Sequence, residues 1–126
     1  MNADEESLFR AVHVQEAILE LRAALLVHTF ETLIADPDGL AAFKWRLLVL
    51  SEASKGIQDS WKTEFGRSLP WRSIRDLGNE LRHAYPTLDL AVLWRIYTDH
   101  LDPLEAAIDA MIAAHGPIPR PPPRSP

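Results

Sequence analysis

Leu40, Phe43, Leu47, Leu50, Ser54, Ile57, Trp61 and Phe65 follow one another at steps of three and four residues. Held over about seven turns, this stagger keeps one stripe of a helix facing inward, as in the seam of a helical bundle. A half-buried strand would instead alternate at every second residue. No stretch of the chain alternates cleanly, while apolar residues recur at three and four along most of it. The pattern therefore predicts an all-α fold, an up-and-down bundle of about five helices. With 126 residues, of which 47% are apolar, the chain can close one core without a disulfide or a structural metal.

The first helix is expected from about Asp4 to Ala35, apolar over much of its circumference through Ile18, Leu21, Leu25, Leu26, Phe30 and Leu33. Asp36 and Pro37 then suit the cap and first position of a second helix, which carries the stagger to Gly66. A third runs from about Trp71 to Tyr85 with Trp71, Ile74, Leu77 and Leu81 inward, and Pro86 stops it, because proline disfavours helical geometry in the residue before it. Thr87 and Asp89 open a fourth through Leu90, Leu93, Tyr97 and Leu101. Asp102 and Pro103 repeat the Asp-Pro start for a fifth, with Leu104, Ile108 and Met111 inward and Gly116 at its end. Residues 1–116 are expected to form one domain. The tail PIPRPPPRSP, residues 117–126, has six prolines in ten residues and is expected to be an extended, disordered end outside it.

Composition narrows the chemistry. With no cysteine, thiolate catalysis and Cys-ligated metal sites are excluded. An acidic N-terminus, MNADEES, does not resemble a signal peptide, and no apolar run approaches the roughly 20 residues of a membrane span, so the expectation is a soluble cytoplasmic protein. A net charge of −5 opposes a general nucleic-acid coat, and any RNA contact must be local. The basic residues do cluster, with Arg67, Arg72, Arg75 and Arg82 in one short window. His28, near the middle of the first expected helix, reads as a partly buried polar residue, and His13, His100 and His115 are scattered without carboxylates at metal spacing. HExxH, a glycine-rich phosphate loop and GxSxG are absent, so no metal and no cofactor is implied. Trp45, Trp61, Trp71 and Trp94 fall at helical spacing and read as core or interface, and Glu52 with Lys55 reads as a plain surface pair.

That basic window surrounds the stretch GNELRHAYPTLD, residues 78–89. At about 100° per residue, setting Arg75 at zero puts Asn79 at about 40°, Arg82 at about −20°, His83 at about 80°, Gly78 at about −60° and Tyr85 at about −80°. The polar groups share one broad face, opposite Leu77 and Leu81. Histidine moves protons near neutral pH, arginine holds phosphate by a fork of N–H groups, and a tyrosine hydroxyl can accept a transferred group, so such a set suits phosphoryl chemistry. Unpaired carbonyls at the helix end favour the charged form of His83. The plainer alternative is that Arg82 and His83 only complement that dipole while Tyr85 packs on a neighbouring helix.

From Leu40 to Leu104 the chain resembles the HepT-like proteins of the HEPN superfamily. SEASKG lies where that family has a GEAAK-like run, LPW leads into the third helix, and Asn79, Leu81, His83 and Tyr85 are followed by Asp89 and Trp94 as N-x-L-x-H-x-Y and D-x-x-x-x-W. The resemblance implies a homodimer of helical bundles whose third helices form a metal-independent RNA-cutting cleft with a toxin role. It further implies a cognate minimal nucleotidyltransferase that adds AMP to a tyrosine and silences the toxin. In the family motif R-x-x-x-x-H-x-Y, His83 and Tyr85 match, as acid/base and AMPylation site respectively.

The motif's arginine position is Gly78. Losing a guanidinium removes a planar, permanently charged phosphate contact. Two readings stand side by side. In one, Arg82 and Arg75 have taken over phosphate binding, with Asn79 as an orienting group and Gly78 permitting close helix approach across the two-fold. In the other, the chain is a catalytically degenerate binding subunit that pairs with the nucleotidyltransferase.

Overall fold

The computed structural model describes residues 2–83 and 89–116, apart from the side chains of Ile96 and Tyr97. Tyr85, the Pro86 stop, the Thr87 cap, the Tyr97 ring and the 117–126 tail lie outside these residues. Among the described residues six helices follow in order: α1 (Ala3–Val27), α2 (Phe30–Ile34), α3 (Pro37–Lys55), α4 (Asp59–Gly66), α5 (Trp71–His83) and α6 (Leu90–His115). The all-α expectation holds, and the stops at Gly66 and Gly116 and the starts at Pro37 and Trp71 lie where the sequence puts them.

Three segment boundaries differ from expectation, each for a local reason. The first expected helix breaks at His28, whose backbone is extended (φ −129°, ψ 140°). Thr29 then starts α2, its hydroxyl accepting from the Thr32 N–H at 3.2 Å while Thr32 Oγ1 accepts from the Thr29 N–H at 2.8 Å. Threonines make this reciprocal cap in place of the usual Glu or Gln. The second expected helix breaks after Gly56, where the Gln58 N–H donates to Ser7 Oγ on α1 at 3.0 Å. The fourth and fifth are one helix: α6 runs through Pro103 without stopping. At its start Asp89 accepts from the N–H groups of Ala91 and Val92 at 3.0 and 3.3 Å, the side-chain cap its residue type suggests. Asp36, by contrast, occupies the cap position of α3 without a side-chain cap bond, its carboxylate lying 3.6 Å from His28 Nε2.

In the bundle, α3 lies between α1 and α5, and α6 lies across α1 and α4, with α2 bracing α3 and α6. Val14, Ile18 and Leu21 of α1, Phe43, Leu47 and Leu50 of α3, Ile74 and Leu77 of α5, and Leu101, Leu104, Ile108 and Met111 of α6 make the core, joined by Trp61 of α4. Burying a leucine- or isoleucine-sized side chain contributes about 1.5–3 kcal/mol, so this cluster outweighs every surface contact. Arg22 ties α1 to α6 through Asp102 at 2.5 Å and Glu105 at 3.0 Å, and these hydrogen-bonded carboxylates hold its guanidinium still more firmly protonated. Of the four tryptophans, Trp61 is buried and Trp71 and Trp94 pack on the core, whereas Trp45 points out, 64% exposed. Among the described residues no helix is long and apolar enough to cross a membrane.

Candidate functional site

Helix α5 is amphipathic, and its two faces have separate fates. Ile74, Leu77 and Gly78 are buried against α3, while Arg72, Ser73, Arg75, Asn79, Glu80, Arg82 and His83 are exposed. The seam between α5 and α3 is fixed by a buried hydroxyl. Ser51 Oγ accepts from the Gly78 N–H at 3.0 Å and donates to the Ile74 carbonyl at 2.7 Å. Those two backbone groups are the i and i−4 partners that a regular helix joins directly. A side chain from α3 thus bridges a rung of α5.

Gly78 is what permits this. A Cβ placed on it would run into Ser51 Oγ, lie 3.1 Å from Ser51 Cβ and 3.4 Å from Glu52 Oε1. The expectation that Gly78 serves close approach across a two-fold is corrected here: the close approach is to Ser51 of the same chain, on the core side of α5. An arginine at position 78 would clash with α3 as it stands, since even a Cβ there meets Ser51.

The exposed groups sort differently from the wheel. Arg82 Nη2 donates to Asn79 Oδ1 at 2.7 Å, and Arg82 Nη1 is bonded to Glu52 Oε1 on α3. Asn79 therefore orients Arg82, and Glu52 anchors it across the seam. Lys55, one turn on from Glu52, reaches the same Oε1 at 3.8 Å. Arg75 stands apart from this group; its Nε lies 3.5 Å from the carboxylate of its neighbour Asp76. His83 is exposed at the last position of α5, next to Arg82 in sequence, and makes no side-chain hydrogen bond to a described residue. Tyr85 lies two residues further, outside the described residues.

Two participants escaped the sequence reading. Glu52 pairs with Lys55 as expected, but it also holds Arg82. Ser51 lies four residues after Leu47, within the apolar seam, and a hydroxyl at such a position signals a buried hydrogen bond; which backbone it meets is a tertiary fact. Ser54 is buried as well, and its hydroxyl has no partner among the described residues. Two of the other histidines pack on aromatic rings: His115 stacks on Trp61 with ring centroids 4.1 Å apart, and His13 lies against Phe9 at 4.3 Å. Among the described residues no three His, Asp or Glu side chains come together to hold a metal ion.

The site is thus an amide, two cations and a carboxylate gathered at the α3–α5 seam, with an imidazole next in the chain. The amide and the cations are of the kind that bind phosphate oxygens, and an imidazole can move protons to or from them. The Ribonuclease HepT-like family matches residues 14–111, a span that contains every residue of this cluster. A "Probable ribonuclease HepT" from Thermococcus cleftensis is 28% identical over 82 residues, covering 65% of this chain and 74% of that protein. No solved structure matches the chain. On the breadth of the family match, together with the helical fold and the cluster it encloses, this chain belongs to the Ribonuclease HepT-like family.

Proposed function

We propose that the chain is a metal-independent endoribonuclease of toxin type, acting in the cytoplasm as a homodimer, with His83 as acid/base and Arg82 as phosphate ligand oriented by Asn79. The observation that carries this reading is the Arg82–Asn79 bond at 2.7 Å directly before His83, which presents a guanidinium and an imidazole together at an exposed helix end. In the reaction the 2′-hydroxyl of one nucleotide attacks the adjacent phosphorus and the bond to the 5′-oxygen breaks. A cyclic 2′,3′-phosphate and a 5′-hydroxyl result. His83 takes the proton of the attacking hydroxyl or supplies the one needed by the leaving oxygen, and a dimer offers two such histidines. Arg82 offsets the charge that gathers on the phosphoryl oxygens. Arg75, paired with Asp76, contributes a more distant positive charge.

Silencing is assigned to Tyr85. A cognate minimal nucleotidyltransferase transfers AMP from ATP to the phenolic oxygen, which attacks the α-phosphorus as pyrophosphate leaves and the phenol proton passes to solvent. An adenylyl phosphate two residues from His83 adds negative charge and bulk where RNA must enter.

A second reading has its own support in the closure of position 78 by Ser51. In it the chain has lost the cut and is retained to bind the nucleotidyltransferase. Purified chain incubated with single-stranded RNA and a chelator separates the two: fragments ending in cyclic phosphate, lost in His83→Ala, support the nuclease. Intact RNA, with adenylylation by the partner retained, supports the binding subunit. Light scattering near 14.2 kDa at micromolar concentration would remove the dimer.

A further inference from the structure

Glu52 is shared by two cations. Arg82 Nη1 and Lys55 Nζ approach the same carboxylate oxygen, Oε1, from α5 and from the end of α3. Elsewhere the balance runs the other way or is even: Arg22 holds two carboxylates, and Arg10–Glu6 and Arg46–Glu20 are one-to-one pairs. Two cations drawn together repel, and one carboxylate compensates only one of them. A positive charge is left at this corner of the seam. Its side chains are 35–40% exposed, so a ligand can reach it without rearrangement.

We infer that Lys55 is a second phosphate-contacting residue, held beside Arg82 by Glu52, and that the pair takes one phosphodiester of single-stranded RNA. The inference rests on the RNA-cleaving reading above. A phosphodiester supplies what the corner lacks: one negative charge spread over two unesterified oxygens. The planar guanidinium, already oriented by Asn79, suits one oxygen, and the compact, mobile ammonium suits the other. Glu52 is the positioning residue, because it keeps both cations in place while the site is empty. Ser51, next to it in α3, fixes the height of α5 against α3 and hence where Arg82 stands. Position 78 is closed to a longer side chain, so the second cation comes from α3.

The plainer role for Lys55 is to complement the carbonyls at the end of α3. Binding and its salt dependence distinguish the two. In a His83→Ala background, which removes cutting, affinity for a short single-stranded RNA is measured by fluorescence anisotropy across a range of salt. Lys55→Gln is expected to weaken binding several-fold and to flatten the slope of log affinity against log salt by about 0.7, the loss of one phosphate contact on a single strand. Lys55→Arg is expected to restore both. Unchanged affinity and slope in Lys55→Gln, beside a clear loss in Arg82→Ala, would overturn this inference while leaving the nuclease reading intact. No binding by the His83→Ala parent at low salt, with no cleavage by the unaltered chain, would overturn both.

Discussion

The hydroxyl of Ser51 stands between the N–H of Gly78 and the carbonyl of Ile74, accepting from one at 3.0 Å and donating to the other at 2.7 Å. Neither partner tolerates independent change. Gly78→Ala would ordinarily favour a helix by roughly 0.5–1 kcal/mol, but here the new methyl meets a serine that is 1% exposed. It is expected to destabilise by about 1–3 kcal/mol, the range for overfilling a packed site. Ser51→Ala is expected to lose about 1–2 kcal/mol with its hydrogen bonds. Combined with Gly78→Ala, a change of Ser51 to glycine should cost less than the separate losses added together. Urea denaturation of the parent, Gly78→Ala, Ser51→Gly and the double variant of those two changes checks this, and strictly additive losses would contradict the steric account.

Gly78→Arg, which rebuilds the family motif on paper, is expected to lower stability more than Gly78→Ala does and to leave RNA cleavage unimproved. The side chain has to leave the α3 seam or force it open. Thermal melting together with a cleavage assay reports both quantities, and a gain in cleavage without a drop in melting temperature would show that Ser51 yields easily.

Arg82→Ala is expected to abolish cleavage as fully as His83→Ala while changing stability by less than about 1 kcal/mol, since its ion pair is at the surface. Arg82→Lys should remain poor, because an ammonium cannot hold Asn79 and Glu52 with two separate groups. Arg75→Ala should give the smaller defect, in keeping with its pairing to Asp76. Equal losses from Arg75→Ala and Arg82→Ala would reverse this ranking.

Lys62 supplies a pH test. Burial lowers its ammonium below the ordinary 10.5; Asp59 opposes the shift and Arg75 adds to it. The unfolded chain therefore binds that proton more tightly, and stability rises with pH between the lowered folded value and 10.5. Lys62→Met removes the titration and replaces the ammonium that lies over the Trp71 ring, 5.6 Å from Nζ to the centroid, with an uncharged thioether able to lie against the same ring. Its stability should exceed that of the parent at neutral pH, with the difference narrowing as pH rises through the window. Parallel denaturant curves at neutral and alkaline pH test the sign.

Much of the fold was legible because the apolar stagger is long: Phe43, Leu47, Leu50 and Trp61, all written into the seam, are all buried. The breaks were not. His28 and Thr29 carry none of the glycine or proline signals that punctuate a helix, and a Thr–Thr reciprocal cap leaves only a faint trace in sequence. Pro103 has the opposite lesson, for Asp-Pro reads as a start and yet sits inside α6. In the candidate site, residue type and helical angle sufficed to place Asn79, Arg82 and His83 on the exposed side of α5, because they share one element. Glu52 and Ser51 bear on α5 from 20 or more residues away, and no local spacing encodes that meeting. The wheel also put Gly78 nearer the polar groups than it is, since a glycine has no side chain to mark which face it belongs to.

Pro103 has a consequence for how α6 opens. Without an N–H it cannot donate to the carbonyl of Asp99, so the hydrogen-bonded ladder of a helix 26 residues long is interrupted near its middle. Leu104, Ala107, Ile108 and Met111 beyond the gap belong to the core, whereas Leu90, Ala91 and Val92 at the other end are at least partly exposed. Fraying that begins near Leu90 therefore has a place to stop. In hydrogen–deuterium exchange the amides of the first turn, around Leu90–Val92, should exchange through local openings, those after residue 103 only with the whole bundle, and those between, which carry the buried Leu93 and Leu101, at intermediate rates. An opening confined to that first turn leaves Leu93 and Leu101, as well as Leu104, Ile108 and Met111, seated in the core.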